Sequence, residues 1–299
     1  MTEQASSYIE HYELNGARLL FENPPGLYPV NRYQSLVLAS CAVTEALTWS
    51  AQRQAPLSSA RAIEVCCGGG PAALALKSAG VGSVEASDLN PRMLEACHRN
   101  AEINHLALAR VTRRDLLTPD DPLVTDDAPF DIIVCNPPCG RSAVVDIAAR
   151  PDMKLALDGG EDGLNLLPRL LEDSRRCLAD GGRLVFVLTS TMSIPTALEL
   201  LNHHAAGQWR VAAHTPIAQP YGRPDDPRSQ TMLALREEYE AFVWVQDQVL
   251  WRMTWIIVMH KLPDDQRPLQ GGLWFRPHGY DPSSPDYIRS RDRFEERFR

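Results

Sequence analysis

The sequence predicts an α/β fold with a parallel sheet at its centre. Three stretches carry that expectation. Phe130–Cys135 is a short apolar run, β-branched at Ile132, Ile133 and Val134, that breaks off at Asn136-Pro137-Pro138. Such a run suits a strand buried on both faces. Ala62–Cys66 is a second strand-like run, followed by Cys67-Gly68-Gly69-Gly70 and a helical stretch opening at Pro71. Ser83–Asp88 is a third, with an acid at its end.

Bulk properties are those of an ordinary globular chain. The 299 residues are 44% hydrophobic and 23% charged, with a formal charge of −8. That balance argues against a broad phosphate-neutralising surface. Seven cysteines, an odd number without a CxxC pair, fit reduced thiols better than a disulfide framework or a zinc site. No signal peptide and no apolar stretch of membrane-spanning length is visible, so a cytoplasmic protein with no membrane contact is expected.

Taken in order, residues 1–58 form an expected amino-terminal extension over the site. Its stretch Phe21–Val30 holds three prolines and a glycine and reads as extended chain and turns. Tyr28, Asn31 and Tyr33 are placed either to line a pocket or to close the sheet edge. Gln34–Gln54 is helical in pattern, with Leu36, Ala39, Val43, Ala46 and Leu47 near one face.

The main domain is expected over residues 59–262. Pro71 sits at the first position of its helix, a favoured placement. The glycines before it let the backbone approach a ligand, and the helix start offers free N–H groups. Asp88, roughly twenty residues beyond the turn, is placed to accept the two hydroxyls of a ribose. Asn90-Pro91 already supplies a cap for the helix over Pro91–Ala101, which leaves Asp88 surplus to structure. Asp115, after a third strand around Val111, is either an acceptor for an adenine amino group or a solvated turn acid. The turn lacks a GxGxxG continuation and a Walker lysine, so a nucleoside without phosphate suits it better than a dinucleotide.

Asn136 is the expected centre of the chemistry. Pro137 and Pro138 have φ fixed near about −65° and cannot continue the strand. Asn136 is thereby held at a strand's carboxyl end, where open α/β sheets bind ligands. An amide nitrogen is a poor nucleophile because its lone pair is delocalised. The Asn136 oxygen and a prolyl carbonyl can each accept one of its N–H bonds, which aims the lone pair and stabilises developing positive charge.

Ile63–Gly70, Asp88, Asp115 and Asn136-Pro137-Pro138 together resemble the class I S-adenosylmethionine-dependent methyltransferases, most of all the HemK/PrmC-type glutamine N-methyltransferases and related N6-adenine enzymes. Ala156–Leu164 and Leu178–Leu184 resemble the family's later segments. The likeness spans roughly residues 24–190 and fades toward 260. It implies a Rossmann-like α/β fold with a seven-stranded, mostly parallel sheet, helices on both faces, and S-adenosyl-L-methionine as cofactor. It implies that Glu64, Cys66, Gly68 and Gly70 surround the methionine part, that Asp88 with Leu89 holds the ribose, and that Asp115 with Leu116 holds the adenine. Asn136 and Pro137 would be catalytic.

Two departures stand out. Cys66 replaces the first glycine of the turn. Cys139 replaces the aromatic that ends the family's Asn-Pro-Pro motif and walls the substrate, so Cys139 is expected to make room for a different acceptor. Ser190, past the fifth strand, either touches substrate or caps a helix. The family's amino-terminal recognition domain is expected to have no counterpart in the short leading segment. A small molecule or amino acid is therefore the expected acceptor, as in secondary metabolism, with nucleic acid set aside. The alternatives are a cyclase that closes the cofactor's own chain to azetidine-2-carboxylate and methylthioadenosine, and a methyltransferase acting on protein glutamine or nucleic acid. Gln219–Gln230 reads as an irregular lid or surface loop, and residues 263–299 as a tail.

Overall fold

The computed structural model describes residues 7–31, 33–116, 128–148, 151–205, 209–236 and 241–263. Strands β1 (Tyr8–Leu14) and β2 (Ala17–Asn23) open the chain as an antiparallel hairpin. Asn15 and Gly16 join them with φ of 50° and 84°. Positive φ at both positions is the turn that Asn-Gly favours, a signal that the expectation of a plain extension overlooks. Helix α1 (Ser35–Arg53) follows and buries Leu38, Ala39, Ala42 and Ala46 completely. Leu47, expected near that face, is 52% exposed.

The parallel layer then forms from β3 (Arg61–Val65), α2 (Pro71–Ser78), β4 (Ser83–Asp88), α3 (Pro91–Ile103), β5 (Arg110–Arg113) and β6 (Phe130–Cys135). Two short helices, α4 (Ser142–Ala148) and α5 (Pro151–Leu157), precede α6 (Leu167–Cys177) and β7 (Leu178–Thr189). Helix α7 (Ile194–Ala205), β8 (Trp209–Gly222), α8 (Pro227–Leu235), β9 (Val243–Gln246) and β10 (Val249–Lys261) complete the chain.

The sheet runs β5-β4-β3-β6-β7-β10-β8, with β9 paired to β10. Strands β5, β4, β3, β6 and β7 are mutually parallel, while β10 is antiparallel to both β7 and β8. This is the expected Rossmann-like architecture. The expected seven strands lie on the main path, and β9 adds an eighth through a hairpin at Asp247-Gln248, both at positive φ. The chain reverses its direction of travel across the sheet at β3, between β4 and β6. Ligands bind beyond the carboxyl ends of strands at such a point.

Strand β6 shows how the core is divided. Ile132 and Val134 pack with Leu38, Ala42 and Leu74 on one face. Ile133 and Cys135 pack with Leu170, Leu171 and Phe186 on the other. Successive side chains alternate across the sheet, so a continuous apolar run serves helices on both faces. Because α1 belongs to the first of these layers, the expected boundary near residue 58 cuts through packed core.

The expected lid does not exist as a loop. Strand β8 continues to Gly222, and Asp226 caps α8 by accepting from the backbone N–H groups of Arg228 and Ser229. The tail from residue 264 lies outside the described residues. No helix among the described residues is long and apolar enough to cross a membrane.

Candidate active site

A cavity of about 410 Å³ opens over the ends of β3, β4 and β6. Its first wall is the glycine turn. Cys66, Gly68 and Gly70 all have positive φ, at 53°, 52° and 78°. Glycine adopts that backbone freely, whereas a side chain there costs on the order of 1–2 kcal/mol. Cys66 carries that strain at the position where the family has glycine. The turn is tied to its surroundings. Gly68 N–H donates to Asp88 Oδ2 at 2.8 Å, and Asn100 Nδ2 donates to the Gly69 carbonyl at 2.9 Å.

Asp88 is therefore not surplus to structure. Its second oxygen accepts from Asn90 N–H at 2.9 Å, while Asn90 itself caps α3 through Arg92 N–H. Each carboxylate oxygen still has a lone pair for a further donor. Burial raises the Asp88 carboxyl, opposed by the N–H groups of Asn90, Gly68 and Leu89.

Glu64 is 1% exposed and accepts from Ala73 N–H at 2.7 Å. Burial drives its carboxyl up to about 8, against the opposing N–H groups of Ala73 and Ala72. It borders the cavity, and no basic side chain is ion-paired with it among the described residues. A buried acid of this kind holds its charge well only when a cation arrives.

Asn136 lies on the cavity wall between buried Cys135 and buried Pro137. Its side-chain amide makes no hydrogen bond among the described residues. The loop that carries it is held by the glycine-rich segment after α5. Gly140 N–H donates to Leu157 O at 2.7 Å, Gly159 N–H to Gly140 O at 2.7 Å, and Ser142 N–H to Gly160 O at 2.9 Å. A Cβ on Gly159 would stand 2.7 Å from Pro138 O, and one on Gly163 2.8 Å from Cys139 O. These glycines let one backbone lie directly on the other.

The cavity gathers Tyr28, Glu64, Cys66, Gly68, Asp88, Leu89, Asp115, Leu116, Asn136, Pro137 and Cys139 from among the expected site residues. Three others stand off its wall. Gly70 begins α2, where a Cβ would fall 2.6 Å from Cys97 Sγ, so its role is close packing on α3. Asn31 folds back on its own turn, accepting from Tyr33 and Gln34 N–H at 3.1 and 2.9 Å and donating to the hydroxyls of Tyr28 and Ser35 at 3.4 and 3.3 Å. Ser190 is fully buried; its hydroxyl donates to Phe242 O and accepts from Met253 N–H, fastening β7 to β10 rather than capping α7. Burial raises the Cys139 thiol, with Thr189 donating to its sulfur at 3.5 Å. It is not poised as a thiolate.

Other lining residues were outside sequence reach. Arg141 is 1% exposed and donates to Thr191 O at 2.7 Å, bracing the Asn136 loop against the end of β7. Gln219, Tyr221, Arg228 and Arg252 close the far side. They come from β8, α8 and β10, and no local motif marks them.

Residues 43–153 match the family model "Methyltransferase small domain". The release factor glutamine methyltransferase of Deinococcus radiodurans is 33% identical over 144 residues, 47% of this chain and 49% of that protein. The ribosomal protein uL3 glutamine methyltransferase of Bradyrhizobium diazoefficiens is 34% identical over 136 residues, 44% of this chain and 41% of that protein. The chain thus matches about half the length of these curated relatives or less. Among solved structures, a 16S rRNA N2 G1207 methyltransferase of T. thermophilus with AdoMet and guanosine aligns at TM-score 0.42 and 16% identity, over 87% of this chain and 51% of that one.

Residues 43–153 thus match a methyltransferase domain, set within a Rossmann-like α/β sheet. The expected small-molecule acceptor, with nucleic acid set aside, is corrected here. The matched relatives are named for protein acceptors. The physical reason for the error is that net charge is a whole-chain average. It misses the two arginines, Arg228 and Arg252, that face this cavity.

Proposed function

We propose that this protein transfers a methyl group from S-adenosyl-L-methionine to the side-chain amide nitrogen of a glutamine in a protein. The observation that carries the reading is Asn136: an amide without a partner among the described residues, followed by two prolines at the end of a central strand. The cofactor supplies a methyl group on a positively charged sulfur. In this reading Glu64 takes the cofactor's ammonium group, Asp88 its ribose hydroxyls, and Asp115 with Leu116 its adenine. The uncompensated Glu64 carboxyl and the glycine turn fit such a ligand. Asn136 Oδ1 and the Pro137 carbonyl accept the two N–H bonds of the acceptor amide. The sulfur–methyl bond breaks as the nitrogen–methyl bond forms, S-adenosylhomocysteine leaves, and the methylated nitrogen sheds one N–H proton to water; orientation and dipoles do the catalysis, with no charged base required beforehand. The glutamine assignment draws on the acceptors for which the matched relatives are named.

The test incubates the protein with labelled S-adenosylmethionine, with and without a release factor or ribosomal protein uL3. S-adenosylhomocysteine should form only with an acceptor, and peptide mass spectrometry should locate the label on glutamine. Methylthioadenosine formed from the cofactor alone would overturn this reading in favour of cyclisation.

A further inference from the structure

One side of the cavity holds two guanidinium groups, with Asp226 the carboxylate that acts on the ring between them. Arg252 on β10 and Arg228 on α8 lie 5.4 and 4.7 Å from the centroid of the same ring, Tyr221. Arg228 donates to the Tyr221 carbonyl at 2.7 Å. Arg252 Nε is buried without a hydrogen-bond partner, and neither guanidinium is ion-paired among the described residues. Both arginines and Tyr221 line the cavity that also exposes Asn136, Tyr28 and Cys139. Arg252 is near enough to Tyr28, Tyr221 and Cys139 to act electrostatically on all three.

Two cations on one ring repel each other. The face of Tyr221 offsets this only in part. A buried N–H without an acceptor adds to the cost. One ligand feature relieves both: an anion with planar paired oxygens, which a guanidinium fork binds in bidentate fashion. Cys139 leaves open the space that a larger residue there would fill, and Arg252 borders that space.

We propose that Tyr221, Arg228 and Arg252 form a specificity subsite for a carboxylate side chain adjacent, in the acceptor peptide, to the glutamine that is methylated. The subsite rests on the protein-glutamine reading above. It would make the enzyme a reader of acidic context rather than of the amide alone.

Two synthetic peptides test it, one with glutamate beside the target glutamine and one with an uncharged glutamine in its place. The intact protein should methylate the acidic peptide with kcat/KM about tenfold or more above the neutral one, as a charge-assisted pair requires. Arg252→Gln and Arg228→Gln should each reduce that preference, and Arg252→Lys should keep part of it. Calorimetry with S-adenosylmethionine, unchanged in these variants, establishes that they fold. Equal rates on both peptides in the intact protein, or a preference that survives both Gln variants, overturn the subsite while leaving glutamine methylation in place. If neither peptide reacts and an oligoribonucleotide does, the subsite and the glutamine reading both fall.

Discussion

Asn136 is the residue on which the proposed chemistry turns. Asn136→Ala removes the acceptor oxygen but no described contact within the protein. Turnover should fall by about 10²–10³-fold, the cost of losing one preorganised dipole at a developing charge. Cofactor affinity, measured by calorimetry, should change little. A large loss of affinity would show that Asn136 holds the cofactor instead. Cys139 gives the opposite expectation: Cys139→Ala should leave most activity in place, since the buried thiol is not ionised.

Glu64 makes the site sensitive to pH in a definite direction. Its carboxyl is raised from 4.5 to about 8 in the fold. The folded state therefore binds this proton more tightly than the unfolded state, and the ligand-free protein loses stability as pH rises between those values. An arriving ammonium group favours the ionised form. Cofactor affinity should therefore rise with pH by up to about tenfold per unit, levelling off near 8. Calorimetry at neutral pH in buffers of different ionisation enthalpy should reveal proton release on binding. Glu64→Gln should bind more weakly, with no release and a flatter pH profile.

Among the elements, the paired loops at Asn136 and Gly159–Gly163 are the most exposed to small changes. Gly163 has φ of +82°, and a Cβ there would stand 2.8 Å from Cys139 O. Gly163→Ala should destabilise the protein by about 2–4 kcal/mol, from backbone strain together with overpacking. Thermal unfolding measures the loss, and residual activity should fall further than stability does, because the displaced partner is the Asn136 loop. The resemblance in Ala156–Leu164 identifies this stretch by its glycines. The structure supplies the reason: only a chain without side chains lies flat against another backbone.

Helix α3 is a second such element. Asn100 accepts from Glu22 N–H at 2.7 Å and donates to Gly69 O at 2.9 Å. Asn104 accepts from Leu20 N–H and donates to Leu20 O. Asn100→Leu leaves two backbone groups unpaired and should cost about 2–5 kcal/mol by denaturant unfolding.

At the scale of the molecule, the parallel half of the fold was legible because its signals are local. Ile132-Ile133-Val134, the glycine turn and Asn90-Pro91 each mark a strand end or helix start within a few residues. The proposed cofactor side was legible for the same reason, since Glu64, Gly68, Asp88 and Asn136 all lie at those ends. The acceptor side was not. Tyr221, Arg228 and Arg252 reach the cavity through the long pairing of β8 with β10, whose register no short stretch encodes. Arg252 looks in sequence like any polar residue of a half-buried strand. Asn100 in α3 and Asn104 at its C-cap read as surface polar residues until β2 is placed beside them.

That placement has a consequence for how the protein guards its ligand. The opening hairpin is stitched by Asn100 to the same backbone carbonyl that shapes the nucleoside pocket. Peeling the hairpin away should therefore slacken the pocket, and a bound nucleoside should in turn hold the hairpin shut. Limited proteolysis between residues 7 and 23 ought to slow when S-adenosylhomocysteine is added, even though none of those residues lines the cavity.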